Sequence, residues 1–395
     1  MVIKSKVVFD MILNIVAAAM PVAVLQLVVY PISARALGAE NYGLMLTIYS
    51  AWIMVSNSFG NALNNVRLLH NFTYEKENIR GDFNVLLKQW SLLNAVVVGC
   101  IVIFYYQRLE AVHICLSILV ATVVFVKAYV EVGFRIVLNY KAIVVNNLLQ
   151  SIGFLVGCYL SRITGLWEFI FLIGYLVSCI FCITKTKILR ENCRTTKFYK
   201  KIKKDYIYLL LSGIVNSMMA YADKLVLYPL MGGASVSIYY TATILGKILG
   251  MLTGPINSVI LSYISKWNTK QNSLLTKIIF ITLGVVVCGY ILTLLIARPV
   301  IGMLFPQWLD PVMKYLPATT ITVCLQVLIS ILQPFVLKFC QMKWQIVING
   351  IGVVIYFISA LILWYFWGLM GFCIGTIIGA VAKLIIMLLV YYKER

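Results

Sequence analysis

LLNAVVVGCIVIFYY, residues 92–106, decides the fold class. A membrane-spanning β-strand alternates polar and apolar residues at every second position, whereas this stretch is almost continuously apolar, so it reads as a helix. Comparable runs recur from the first ten residues to the last ten. Of the 395 residues, 62% are hydrophobic and 12% charged, and the mean hydropathy is +0.95. No water-soluble domain of this length tolerates that composition as surface. A bilayer core of roughly 30 Å takes about 20 apolar residues per helix. Windows of about 19 residues predict helices over 7–34, 44–69, 84–106, 111–134, 137–160, 165–184, 206–230, 238–265, 275–297, 313–337, 345–365 and 369–391. The expectation is an all-α polytopic membrane protein with about twelve transmembrane helices. The start, MVIKSKVVF, is basic like a signal peptide, but its apolar stretch runs on to about Leu37, too long for an h-region, and is read as helix 1.

Basic residues orient the chain, because Lys and Arg loops are retained on the cytoplasmic side. With both termini inside, 24 of the 33 Lys and Arg fall in cytoplasmic segments and their flanks, against five outside: Arg35, Arg108, Arg162, Arg298 and Lys314. Nine of the 24 lie in KTKILRENCRTTKFYKKIKKDY, residues 185–206. The net charge of +20 is thereby largely topological; the loop reads as an orientation signal and anionic-lipid contact rather than a nucleic-acid site. It also divides the chain into an N-terminal six-helix bundle (1–184), a linker loop (185–205) and a C-terminal six-helix bundle (206–395). Helix 1 ends in LVVYP (27–31) and helix 7 in LVLYP (225–229). Six helices is an even number, so the two halves read as parallel repeats about an axis along the membrane normal.

Ionisable residues within a span cost a few kcal/mol on insertion scales and generally face a polar interior. Asp223 and Lys224 sit side by side near the outer end of helix 7, and Lys247 lies at similar depth on helix 8. A pair between Asp223 and Lys247, or between Asp223 and Lys224, follows from those depths, as a structural latch or a substrate site. Amides form stripes: Asn57, Asn61, Asn64 and Asn65 on helix 2, with Arg67 beyond them; Asn146, Asn147 and Gln150 on helix 5, followed by Gly153 and Gly157 at a close-packing interval; and Ser212, Asn216, Met219 and Asp223 on helix 7. Any single Asn of these can simply join two helices; three amide-bearing helices together point to a hydrated cavity. Lys127, Glu131 and Arg135 form an i,i+4 ladder that is mostly self-satisfying, and Lys383 can snorkel.

Other chemistry is disfavoured. His70 and His113 lack metal-ligand neighbours, and the C-x-x-C of Cys179 and Cys182 lies on an apolar helix, where thiols behave as small hydrophobes. There is no G-x-x-x-x-G-K-S/T loop for ATP. Outer loops of no more than about 15 residues leave nowhere for the aqueous catalytic domain of a polymerase or glycosyltransferase. Neither an enzyme nor a cofactor or metal is expected.

Several short motifs carry a resemblance. YPISARALGAENYG (30–43), ADKLVLYPLMG with SIYYTATILGKI (222–248), GPINSVILSYISK (254–266) and the segment QPFVLK to GTIIG (333–379), with its WGLMG turn, together resemble the polysaccharide flippases. These are the O-antigen (Wzx-type) group of the superfamily that also holds multidrug and toxin extruders. Tyr263 stands where that pattern often has proline, and the chain is somewhat short. The resemblance implies two six-helix bundles around a central cavity that opens alternately to each side of a bacterial cytoplasmic membrane. The implied cargo is an undecaprenyl-diphosphate-linked oligosaccharide moved from inner to outer leaflet, for O-antigen or capsule synthesis. Polysaccharide polymerase and chain-length proteins are the implied partners beside membrane lipids, and a proton or sodium ion the possible coupling ion. Arg35, Arg67, Lys127, Lys224 and Lys247 would face the diphosphate; amides including Asn57, Asn61, Asn64, Asn146 and Asn216 would face sugar, with Asp223 in the charged cluster. Three rivals stand beside it: a cation-coupled drug or metabolite exporter on the same scaffold, a membrane polymerase, and a non-transporting scaffold for glycan assembly. The surplus of Lys over isolated acids within the spans favours anionic cargo.

Overall fold

The computed structural model describes residues 17–77, 81–106, 110–137, 139–250, 270 and 272–393. The motif at 254–266 and the start of helix 1 lie outside them. The described residues are mostly helical, with no strand among them. In chain order they are α1 (17–37), α2 (39–76), α3 (Asp82–Tyr106), α4 (Ala111–Ile136), α5 (Tyr140–Thr164), α6 (Glu168–Lys185), α7 (199–231), α8 (233–250), α9 (Asn272–Leu304), α10 (Leu309–Phe339), α11 (342–366) and α12 (369–393). Eight of the described helical runs are long and apolar enough to cross a membrane, a run that bends being counted once. The expected twelve crossings remain a proposal.

Where the sequence predicts a loop of several residues between the first two helices, the structure turns on a single one. Gly38 takes φ 71° and ψ 176°, and Gly232, between α7 and α8, takes φ 77° and ψ 175°. A backbone with that φ is open to glycine and strained for residues with a Cβ. The turn at Gly38 reverses the chain: the rings of Tyr30 and Tyr49 lie 6.4 Å apart, where an unbroken helix would separate them by about 28 Å. Keeping the turn to one residue leaves few backbone amides without an intrahelical partner, which matters where water is scarce. The echo between LVVYP and LVLYP is out of step with these turns: Gly38 follows Tyr30 by eight residues, and Gly232 follows Tyr228 by four.

The chain divides into two compact units, 1–233 and 234–395, so α7 packs with the first six helices. Its Tyr206 hydroxyl donates to the Phe59 carbonyl of α2 (3.3 Å), Tyr105 of α3 donates to the Leu225 carbonyl (2.6 Å), and Ser217 bonds Ser58 of α2 (2.9 Å). Within unit one, α5 and α6 approach backbone to backbone. A Cβ on Gly153 would lie 2.8 Å from the Gly174 Cα, and one on Gly157 2.8 Å from the Ile170 Cα, which bears out the close packing expected of that pair. Between α2 and α6 stands an aromatic core: Tyr49 stacks on Phe171 at 4.4 Å and Trp52 on Trp167 at 5.5 Å. The Glu40 carboxylate, just past the Gly38 turn, accepts from the Gly233 N–H at 2.7 Å. Gly43 and Gly233 have no room for a side chain where they meet.

In unit two, α11 and α12 form a hairpin on Gly368 (φ 55°). Gly371, Gly375 and Gly379 recur every four residues, and the last two press on Ala360 and Tyr356, a small-residue seam of the kind that lets membrane helices touch. Ser359 donates to the Gly375 carbonyl at 2.8 Å and Thr322 of α10 bonds Thr376 at 3.0 Å. Below them α9, α10 and α12 share an apolar core of Leu275, Leu332, Phe335, Met387 and Tyr391.

The basic loop is not a slack linker. Residues 186–198 are clamped to unit one: Arg67 makes a two-pronged pair with Glu191 (2.9 and 2.6 Å), Asn84 donates to the carbonyls of Ile188 and Glu191, and Asp82 accepts from Tyr74 and Thr196. Both members of the Arg67–Glu191 pair are buried, their side chains 7% and 9% exposed. Removing one partner of such a pair strands the other's charge, while replacing both is far milder. We expect Arg67→Met to cost about 3 kcal/mol, read as a lowered midpoint of heat unfolding in detergent, and Glu191→Leu added to it to restore most of the loss. Equal losses in the single and double variants would contradict this account of the clamp.

Candidate functional site

A helix that carries several amides presents them to different neighbours, and α2 shows this directly. Asn64 is buried and its amide nitrogen donates to the Ala128 carbonyl of α4 at 2.9 Å, at a crossing where a Cβ on Gly60 would lie 2.5 Å from the Ala128 Cβ. Asn57, Asn61 and Asn65 follow at intervals of four along another line, half-buried, half-buried and exposed in turn. Neither Asn57 nor Asn61 hydrogen-bonds any other described residue through its side chain. The line begins in a π-helical segment, Ile53–Asn57, a local widening that recurs at functional positions. On α5, Asn146 is buried and accepts from Ser178 of α6 at 2.8 Å, and Asn147 donates to the Ala17 carbonyl at 2.9 Å. Asn64, Asn146 and Asn147 thus serve as links between helices, leaving Asn57 and Asn61 as the amides open to a ligand. The Asn216 side chain lies outside the described residues.

The cations sort in the same way. Lys127 pairs with Glu131 one turn on, at 2.9 Å, and Arg67 is held by Glu191. Arg35 is exposed, three residues before the Gly38 turn. On α7, Asp223 and Lys224 are both buried; Asp223 Oδ1 accepts from the Lys224 backbone N–H at 2.9 Å and from its ammonium at 3.0 Å. The same ammonium lies 5.6 Å from the Tyr221 ring centre, within reach of the ring's negative face. Lys247 belongs to unit two, where its ammonium stands 4.8 Å from the Tyr240 ring centre. The pair between Asp223 and Lys247 remains a proposal.

One buried polar residue escaped the sequence reading, and one half-buried histidine has carboxylate partners that the sequence did not reveal. Asn94, inside the apolar run 92–106, is wholly buried and neither of its amide atoms finds a partner among the described residues. One polar residue in fifteen is the signal that marks it. His113 is held between Glu168 (2.5 Å) and Glu110 (3.3 Å) and stacks on Tyr106, acids separated in sequence by the length of two helices. No group of three or more His, Cys, Asp or Glu that could hold a metal occurs among the described residues.

No family model matches the chain, and no curated protein sequence does. Solved structures do resemble it. A lipid II flippase, MurJ, in an inward closed conformation superimposes with a TM-score of 0.73 at 14% identity, over 98% of this chain and 86% of that one. A multidrug resistance transporter of the MATE family, of the MOP superfamily, in an inward-facing conformation gives 0.67 at 16% identity, over 96% and 97%. A MATE transporter bound to MaL6 gives 0.68 at 13% identity, over 97% and 94%. The chain therefore shares an all-helical fold with these transporters.

If the two amide lines are distinct, Asn64→Ala costs about 1 kcal/mol in heat stability, whereas Asn57→Ala and Asn61→Ala leave the melting midpoint unchanged. Equal melting losses at all three positions would contradict the division.

Proposed function

We propose that the protein is a flippase for a lipid-linked oligosaccharide, moving an undecaprenyl-diphosphate-linked repeat unit from the inner to the outer leaflet of a bacterial cytoplasmic membrane by alternating access. The observation that carries the reading is the buried Asp223–Lys224 pair on α7, in a fold also found in a lipid II flippase. A diphosphate cannot cross hydrocarbon unaided; ammonium groups in a water-excluded setting replace part of its hydration, while the prenyl tail stays in lipid. Lys224 offers such a group in register with its own counter-ion, so it is neutral at rest and exchangeable toward a stronger anion. Lys247 is its counterpart on α8, and Asn57 and Asn61 offer amides for sugar hydroxyls. Both chain ends lie in the cytoplasm in this reading, with polysaccharide polymerase and chain-length proteins downstream and a proton or sodium ion as the coupling ion.

One observation favours a second reading. The MATE transporter covers this chain and is covered by it almost completely, so a cation-coupled exporter of drugs or metabolites on the same scaffold is the alternative. Its cargo would call for acids, and Asp223 and Glu131 are already paired with lysines.

Deleting the gene separates the two. Accumulation of complete, unpolymerised lipid-linked repeat units on the inner leaflet supports the flippase; unchanged surface glycan in a strain without a second flippase, with altered drug susceptibility, supports the exporter. Asp223→Asn and Lys247→Ala should each lower glycan export about tenfold, the loss of one charge-assisted contact, at an unchanged amount of protein in the membrane. Normal export by both variants would reduce the cluster to a helix latch.

A further inference from the structure

Unit one contains a cavity of about 890 Å³ at the end that carries the basic loop, bounded by the end of α2, the α4–α5 corner and the segment after α6. Three lysines line it, Lys141 at the start of α5 and Lys185 and Lys187 after α6, together with Arg67 and the acids Glu75 and Glu191. Glu191 is already neutralised by Arg67, so the wall is net positive.

Two buried donors in that wall lack acceptors. Arg67 spends both terminal nitrogens on Glu191, and its Nε has no partner among the described residues; nor has the Thr186 hydroxyl. These residues are 6% and 9% exposed. Thr186 is seated by its methyl group: a Cβ on Gly133 would lie 2.5 Å from Thr186 Cγ2, so the methyl fills the place of the missing side chain and the hydroxyl turns away from it. A buried donor without an acceptor is costly and rare. The first turn of α5, capped by Asn139, borders the same space, and a helix start favours negative charge.

We propose that this cavity binds a phosphate group, its oxygens accepting from Arg67 Nε–H and the Thr186 hydroxyl and facing the ammonium groups of Lys141, Lys185 and Lys187. The surroundings say where such a phosphate comes from. Val137 and Val145 line the cavity yet are 67% and 44% exposed, and from Val145 the outer face of α5 continues as Leu148, Ile152, Val156, Tyr159 and Ile163, all exposed. An acyl chain leaving the cavity would lie along that stripe, which fits an anionic phospholipid headgroup with its tail in the bilayer. Free phosphate shares the polar half of this chemistry and none of the apolar half. The assignment does not rest on the transport reading.

The test uses the full-length protein in nanodiscs made from equal parts of phosphatidylglycerol and phosphatidylcholine, with bound lipid counted by native mass spectrometry after gentle extraction. The expected result is selective retention of phosphatidylglycerol, lowered more than about tenfold when Lys141, Lys185 and Lys187 are all changed to alanine, and lowered several-fold by Thr186→Val, which removes one donor and no charge. A second arm adds inorganic phosphate to delipidated protein and follows the melting midpoint. Stabilisation by phosphate, lost in Thr186→Val, with no lipid retained, keeps the phosphate site and reassigns its source. Should the triple variant fail to fold, Thr186→Val alone decides. Lipid retention and phosphate response both unchanged in Thr186→Val, or absent from the unaltered protein, would overturn the proposal.

Discussion

Inside a bilayer no water is at hand to take up a stray amide or carbonyl, and much of this architecture follows from that single shortage. Long helices satisfy their own backbones, so the cost concentrates wherever a helix has to end. The chain keeps those ends small. At Gly38 and Gly232 a reversal is made with one residue outside helical geometry, and at Gly368 with two, Trp367 and Gly368. Glu40 supplies an acceptor to an N–H exposed at the second of these turns. Glycine recurs where helices press together for a related reason: with no hydrophobic gain from leaving lipid, helices adhere by close contact, as at Gly153 on Gly174 and Gly375 on Ala360.

The same shortage explains the fate of the polar side chains. Buried amides find helix carbonyls or hydroxyls across a crossing, as Asn64 and Asn146 do, and charges find counter-ions within reach of their own helix. Among the groups that this pairing leaves over are the half-buried line of Asn57 and Asn61, Asn94, which has no partner among the described residues, and the two donors of Arg67 and Thr186. Sites of recognition in such a protein are best sought among groups that folding has left unsatisfied.

Helix content and approximate boundaries were legible in the sequence, because hydrocarbon imposes length and composition directly; the predicted 84–106 meets α3 at Asp82–Tyr106. The close packing of Gly153 and Gly157 was legible from spacing. The turns were not, since a motif such as YPISARALGAENYG is rich in small and polar residues yet helical on both sides of one glycine. Nor was the docking of loop 186–198, which depends on Arg67 and Glu191 meeting across more than a hundred residues. Periodicity placed Asn64 with Asn57 and Asn61, but a shift of three rather than four residues turns it toward α4. The Asp223–Lys224 pairing, adjacent in sequence, was foreseen as one of two options, and the quoted run 92–106 held a buried amide that hydropathy averaging conceals.

The pairing of Asp223 with Lys224 and of Lys127 with Glu131 has a consequence for biosynthesis. Each pair is closed within one residue or one helical turn, so it forms as soon as the nascent segment becomes helical, without waiting for any later helix. The membrane-insertion machinery then meets a segment whose charges already cancel, and the penalty for lateral release into lipid falls accordingly. Arg67 differs, because its counter-ion is made only after four further helices; its end of α2 has to wait at the membrane surface until Glu191 emerges from the ribosome.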